Sequence, residues 1–168
     1  MTAARPSGPL LLWNASASVP IGLYVRTARP PRVGALVLLH LPQPVRSLAA
    51  ARGYLPDGAL LIKPVAAGAG DLVCRHGLRV AINGRAVARA SRADRKGRPL
   101  PRWSGCRRLS AAQVFLLSPE PDSFDGRYFG PLGRRTLTGT ALPVWMPSKT
   151  PSRMEGLSAS GDGPRHSR

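Results

Sequence analysis

The sequence predicts a mainly β domain of antiparallel sheets with few short helices. Glycine and proline each occur 18 times in 168 residues, a density that interrupts long helices and favours strands joined by turns. Short apolar runs follow one another closely, and Asn83-Gly84 is a strong two-residue hairpin signal. Because 43% of the residues are hydrophobic, we expect a chain that folds around one core rather than wholesale disorder.

The first elements follow from local patterns near the N-terminus. Residues 1–9 are predicted to be a flexible lead. In the apolar segment 10–25, Pro20 and Gly22 disfavour a continuing helix. The stretch 42–56 predicts one short helix. Strands are predicted at 33–41, 59–65, 71–75, 78–82, 85–90, 113–118 and 138–145.

The remaining stretches set the expected domain boundaries. Residues 91–105 are polar, basic and rich in Pro and Gly, and 119–131 combine turn residues with aromatics, so both are predicted to be loops. Residues 148–168 are rich in Ser, Gly, Pro and Arg and are predicted to be a basic disordered tail. The globular domain is therefore expected to span 10–147.

The net charge of +17 raises the question of a nucleic-acid partner. Only three of the 25 basic residues are lysines, and the arginines are spread along the whole chain, so the excess partly reflects a composition typical of a GC-rich genome. No specific nucleic acid is expected as a partner. Attraction to an anionic membrane surface is at least as plausible.

The cysteines and histidines show no metal-binding spacing. Cys74 and Cys106 do not form a CxxC pair, and His40, His76 and His166 are far apart in the chain. No metal site is predicted. The two cysteines are either a disulfide, which would indicate an oxidising compartment, or two unrelated buried thiols, and spacing alone does not separate these readings.

Lys63 is unusual because it lies inside the apolar run ALLIKPV. Alternation along a strand places Leu61 and Val65 on the face of Lys63, and the opposite face is apolar too. Desolvation disfavours the charged ammonium and lowers its pKa, which would suit a general base. The alternative is a lysine at a sheet edge, marked by Pro64, that reaches water.

Ser18 is the candidate nucleophile. Small residues around Ser16 and Ser18 leave room for a substrate backbone, and the following Pro20 and Gly22 favour a turn that presents a hydroxyl. A serine hydroxyl needs a base to take its proton, and Lys63 is the candidate for that role. The alternative is a solvated, Ser-rich turn.

A third segment, 122–131 (DSFDGRYFGP), holds Asp125 and Arg127 two positions apart. In an extended segment they would share a face and could pair to brace the wall of a site. The alternative is an ordinary surface ion pair that contributes little stability.

In their order and spacing, these segments resemble the signal peptidase family, and closely its conjugal-transfer (TraF-type) branch. The resemblance covers about residues 14–146. The segments that carry it are 18–24 (SVPIGLY), 61–64 (LIKP), 70–71 (GD), 82–84 (ING) and 122–131 (DSFDGRYFGP).

The resemblance implies a serine endopeptidase with a Ser/Lys dyad and the fold of the signal-peptidase catalytic domain. Ser18 would be the nucleophile and Lys63 the base, and Ser16 would complete the oxyanion hole with the Ser18 N–H. Ser123 would orient the lysine, with Asp125 supporting the site through Arg127. Such chemistry needs only hydroxyl, amine and water, so no cofactor is expected.

The resemblance also implies a substrate and a location. The expected substrate is an exported precursor, such as a conjugative pilin precursor, with a linear or cyclised product. The expected location is the periplasmic face of the inner membrane, and an extracytoplasmic site favours a Cys74–Cys106 disulfide.

Two features depart from the family pattern. Gly126 replaces the serine common between the Asp and Arg, and we expect a small effect because glycine keeps the backbone path open. Only 17 residues precede Ser18, and no stretch of 18 apolar residues supplies an anchor. A start codon assigned too late is the favoured explanation. The alternatives for the whole chain are a basic protein that binds nucleic acid or an anionic surface, and an inactive truncated peptidase relative.

Overall fold

The computed structural model describes residues 11–147, so the predicted lead at 1–9 and tail at 148–168 lie outside the described residues. The strands are β1 (Leu11–Asn14), β2 (Gly22–Thr27), β3 (Leu36–His40), β4 (Leu60–Ala67), β5 (Leu72–His76), β6 (Arg79–Ile82), β7 (Arg85–Arg89), β8 (Gly105–Arg108), β9 (Gln113–Leu116), β10 (Leu132–Gly133) and β11 (Leu137–Trp145). The helices are α1 (Val45–Ala51) and α2 (Gly126–Phe129), and a single 3₁₀ turn covers Arg134–Thr136.

The strands form two antiparallel sheets. The larger has the order β1-β2-β11-β3-β4-β9-β10, and the smaller has the order β7-β6-β5-β8. The mainly β, antiparallel prediction with few short helices is therefore confirmed. None of the helices in residues 11–147 is long and apolar enough to cross a membrane.

Apart from His40 and Lys63, strands β3 and β4 are apolar because both faces of the large sheet are covered at this point. On one face Leu39 and Leu61 join a core that includes Val114 and Leu116. On the other face Leu38 packs with Tyr24 and Ile62. A third cluster, with Val73 and Phe115 among its members, joins the small sheet to the large one.

Several local predictions are confirmed by the fold. The Asn83-Gly84 turn joins β6 to β7 with Ile82 opposite Arg85, and both turn residues have positive φ, at 51° and 81°. The helix predicted within 42–56 is α1. The disulfide between Cys74 and Cys106 is present and joins β5 to β8.

The structure also contains elements that were not predicted. The segment 10–25, where only a continuing helix was disfavoured, contains β1 and the start of β2, which pair with each other. The loop predicted at 119–131 contains the one-turn helix α2, and β8 begins at the end of the loop predicted at 91–105. These elements are short, and contacts from distant parts of the chain stabilise them more than local propensity does.

Candidate active site

Asn14, at the end of β1, organises the loop that carries Ser18. Its side-chain amide donates hydrogen bonds to three backbone carbonyls of the loop, those of Ser16 (2.8 Å), Val19 (3.1 Å) and Pro20 (3.1 Å). Asn14 is buried, and its bond to the Val19 carbonyl forms away from solvent. The loop therefore has a defined path, in which Ser18 is half-buried while Ser16 remains exposed, as in the alternative of a solvated turn.

The same asparagine also fixes Ser16. Its Oδ1 accepts hydrogen bonds from the backbone N–H of Ser16 at 3.2 Å and from the Ser16 hydroxyl at 2.8 Å. On the other side of the loop, the hydroxyl of Tyr24 donates to the Pro20 carbonyl at 2.6 Å. Sequence reasoning assigned no role to Asn14 or Tyr24, because their contacts depend on the fold of the loop.

Lys63 lies in β4 and is almost fully buried, with 4% of its surface exposed. Its Nζ is 2.8 Å from the Ser18 Oγ and 2.6 Å from the Ser123 Oγ. The strand pairs with β3 at this point, where Val37 is opposite Lys63. The alternative of an edge lysine that reaches water is therefore wrong.

Burial changes the acid–base properties of Lys63. Desolvation is the largest effect and lowers the pKa of Lys63 from 10.5 to about 8. The charge of Asp125 opposes this shift and that of Arg127 adds to it. A pKa of about 8 raises the neutral fraction at pH 7 about 300-fold over that of an ordinary lysine.

Asp125 and Arg127 pair, but not through an extended segment. Asp125 is the N-cap of α2, and its carboxylate accepts from the backbone N–H of Arg127 at 3.1 Å. The Arg127 Nε lies 3.0 Å from Asp125 Oδ1, and both side chains are buried, so the alternative of a surface ion pair is wrong. Desolvation raises the pKa of Asp125, against the opposing effect of the Arg127 charge.

Ser118 connects this ion pair to the nucleophile loop, a link that the sequence did not indicate. Its hydroxyl donates to the Ser18 carbonyl at 2.6 Å, and its N–H donates to Asp125 Oδ2 at 2.9 Å. The Arg127 Nη2 donates to the Ser118 carbonyl at 2.6 Å. Through Ser118, the segment with Asp125 and Arg127 holds the backbone of the candidate nucleophile in place.

Gly126 shows why this segment tolerates no side chain at the position of the common serine. A Cβ there would lie 2.4 Å from the Leu116 carbonyl oxygen and 2.7 Å from Phe115 Cε2. The expectation that glycine merely keeps the backbone path open was therefore incomplete. Here α2 packs directly against β9, and the close approach requires glycine.

The candidate residues meet at a cleft of about 1040 Å³. Ser16, Ser18, Lys63 and Ser123 all line it. The cleft is large enough to admit an extended peptide, and its wall presents a hydroxyl beside a buried amine. The amine can take the proton of the hydroxyl, and the hydroxyl oxygen can then attack a carbonyl carbon.

Among residues 11–147, one cluster of potential metal ligands combines Cys74, His76 and Cys106, whose ligand atoms lie within 4.8 Å of one another. The two sulfurs are bonded to each other as a disulfide, so neither is available as a thiolate. His76 Nε2 lies 3.7 Å from the Cys106 sulfur. In this oxidised form the donor set does not suit a metal ion.

Comparison with known proteins gives several matches. The family model described as signal peptidase, peptidase S26, matches residues 6–146. A plasmid transfer protein TraF from Escherichia coli is 39% identical over 142 residues, covering 78% of this chain and 80% of that protein. A probable conjugal transfer protein TraF from Sinorhizobium fredii is 38% identical over 142 residues, covering 78% of this chain and 74% of that protein.

A solved structure was also matched, that of a signal peptidase I from Enterococcus faecalis. It is 18% identical, with a TM-score of 0.39, and the match covers 68% of this chain and 98% of that one. Because the family model spans most of the chain and its relatives share well over 30% identity across most of their length, this chain belongs to the signal peptidase family, peptidase S26.

Proposed function

We propose that this protein is a serine endopeptidase in which Ser18 is the nucleophile and Lys63 the general base. The observation that carries the proposal is the 2.8 Å separation between Ser18 Oγ and Nζ of a lysine that is 4% exposed. With a pKa of about 8, about a tenth of Lys63 is neutral at pH 7 and available as a base. It also lies on the wall of a cleft that can hold a peptide.

The chemistry follows from the two groups. Neutral Lys63 takes the proton of the Ser18 hydroxyl as Oγ attacks the scissile carbonyl carbon. The Ser18 N–H stabilises the resulting oxyanion. The Ser16 hydroxyl contributes a second donor by rotating its one proton from Asn14 Oδ1 to the oxyanion. When the C–N bond breaks, the Lys63 ammonium protonates the leaving amine, and an ester to Ser18 remains.

The second half releases the acyl group. Lys63 takes a proton from a water molecule, which attacks the ester and regenerates the Ser18 hydroxyl. If the amino terminus of the same substrate attacks in place of water, the product is a cyclic polypeptide. The Ser123 hydroxyl, 2.6 Å from Nζ, keeps the amine aimed at Ser18 through both halves.

The proposed substrate is an exported precursor, with a conjugative pilin precursor as the first candidate. Support comes from the relatives, which are named as plasmid or conjugal transfer proteins. The family and these relatives also support association with the cell envelope, and we place the active site at the periplasmic face of the inner membrane.

The test is cleavage of a pilin precursor by purified protein, followed by mass spectrometry of the products. Ser18→Ala and Lys63→Met should each lower the rate by at least about 1,000-fold. Ser47 and Arg79 are exposed and do not line the cleft, so Ser47→Ala and Arg79→Met are the controls and should process like the wild type. Equal rates for Ser18→Ala and wild type would contradict the proposal and support an inactive relative.

The sheet face that we propose to contact the membrane lies beside the same cleft. Strand β2 places Leu23 between Trp13 and Trp145 on its neighbours, and the two indole rings are 5.9 Å apart. Trp13 and Trp145 are 55% and 56% exposed. In an antiparallel sheet that faces water, this outer face is normally polar. Indole rings are common at membrane–water interfaces, and the basic chain suits anionic lipid.

Sedimentation with anionic phospholipid vesicles tests this face. The double change Trp13→Ser with Trp145→Ser should weaken vesicle binding about tenfold or more at high salt, where charge attraction is screened. Val87→Ser removes an exposed apolar side chain from β7 and is the control. Undiminished vesicle binding by the double variant would show that this face does not contact lipid.

A further inference from the structure

The short helix α2 depends on donors from the small sheet side of the molecule. The last carbonyls of a helix lack partners within the helix. In α2, the Arg127 carbonyl accepts a hydrogen bond from Arg75 Nη1. The Gly126 carbonyl already accepts from the Gly130 N–H and takes a second hydrogen bond from Trp103 Nε1 at 2.9 Å. Arg75 belongs to β5, and Trp103 precedes β8.

Arg75 is an unusual residue for this position because its charge is buried. It is 1% exposed, and none of the ion pairs within residues 11–147 includes it. Its other contacts are also backbone carbonyls, those of Gly77 (3.0 Å from Nε) and Pro101 (3.5 Å from Nη1). Burying an arginine without a carboxylate is costly, so a neutral residue would be the more stable choice unless the contact has another role.

The contact leads directly to the proposed catalytic groups. The Arg127 backbone that Arg75 holds carries the guanidinium that bonds Asp125 and the carbonyls of Ser118 and Pro121. Ser123 lies in the loop spanned by these contacts and bonds Lys63. Among residues 11–147, the charged groups that shift the pKa of Lys63 are Asp125 and Arg127, and both lie on this same segment.

We propose that Arg75 is a positioning residue, which together with Trp103 holds α2 in place and thereby sets the position of the segment that contacts Lys63. The small sheet then has a part in the reaction although it contributes no group to the cleft beside Ser18. The disulfide between Cys74 and Cys106 fixes the strand of Arg75 to β8. The effect of Arg75 on the reaction rate rests on the proposed function. The effect of Arg75 on the position of the groups around Lys63 does not.

The test is a direct titration of the lysines by NMR in protein with ¹³C-labelled lysine. The sequence has only three lysines, and Lys63→Met assigns the resonance of interest. In Arg75→Met, a loosened α2 admits water, so the Lys63 pKa should rise from about 8 towards 10.5 by about half a unit or more. Arg75→Lys keeps a hydrogen-bond donor at this position, so its Lys63 pKa should lie between that of the wild type and that of Arg75→Met.

Arg79→Met is the matched control, since Arg79 is an exposed arginine on the adjacent strand β6, and its Lys63 titration should equal that of the wild type. Trp103→Phe removes the donor to Gly126 while keeping an aromatic ring beside Phe115, and it serves if Arg75→Met does not fold. A lower melting temperature with an unchanged Lys63 titration in both variants would overturn the proposal.

The two proposals fail in different ways. If wild-type protein and Arg75→Met differ in the Lys63 titration, but neither cleaves any precursor, the positioning role stands and the peptidase function fails. If the wild type cleaves a precursor and Arg75→Met shows the same pH–rate profile and Lys63 titration, the peptidase function stands and the positioning role fails.

Discussion

Replacing Lys63 by Met should stabilise the fold at pH 7, although it removes the proposed base. The depressed pKa, about 8 against 10.5, corresponds to about 3 kcal/mol of destabilisation at pH 7. Met is an apolar side chain of similar length that suits the surroundings of β4. It leaves the buried Ser123 hydroxyl without its amine partner, at a cost of about 1 kcal/mol. The expected net gain in the free energy of unfolding is about 2 kcal/mol.

The advantage of Lys63→Met should disappear as the pH rises. Between pH 8 and 10.5 the unfolded wild type holds a proton on Lys63 that the native state has released, so wild-type stability rises with pH across that window. Below that window both states are protonated, and the full penalty is present. The cost of the lost Ser123 contact in the variant does not depend on pH. The difference between variant and wild type should therefore shrink by about 3 kcal/mol and change sign.

Urea unfolding followed by tryptophan fluorescence, with the disulfide intact, measures both stabilities across this pH range. Lys96→Met removes an exposed lysine and is the control, with an expected effect within about 0.5 kcal/mol. A Lys63→Met advantage that stays constant with pH would refute the depressed pKa. It would also remove the physical basis for Lys63 as a base near neutral pH.

Two further predictions concern the packing of the site. Gly126→Ala would place a Cβ 2.4 Å from the Leu116 carbonyl oxygen, so the free energy of unfolding from urea titration should fall by about 1–3 kcal/mol, and an unchanged value would mean that α2 can shift at no cost. Ser118→Ala removes the 2.6 Å hydrogen bond to the Ser18 carbonyl, so kcat for precursor cleavage should fall about tenfold with KM unchanged. An unchanged kcat would show that the contacts of Asn14 and Tyr24 are enough to hold the loop.

Much of the fold could be predicted from local patterns. The apolar runs of β3, β4 and β9 identify buried strands because a strand covered on both faces is apolar along its length. The turn at Asn83-Gly84 predicts the β6–β7 hairpin because those residues tolerate positive φ. These signals depend on residues close together in the sequence, so they do not need the tertiary structure.

Part of the candidate site could also be predicted from local sequence patterns. Lys63 in an apolar strand indicates a depressed pKa whichever face it occupies, and its burial agrees with that prediction. The pairing of Ser18 with Lys63 and Ser123 was predicted from the resemblance in segment order rather than from the residues alone. The structure brings these three side chains to within hydrogen-bonding distance.

The sequence by itself determined the strand-rich fold class, the hairpin and the unusual lysine. Only the tertiary structure decided that β11 lies between β2 and β3, that Asn14 and Ser118 hold the nucleophile loop, and that buried Arg75 supports α2. The physical reason is range: Ser118 and Ser18 are 100 residues apart, and Arg75 and Arg127 are 52 apart. Hydrogen bonds between such distant groups leave no local pattern, since each partner looks ordinary until the chain brings them together.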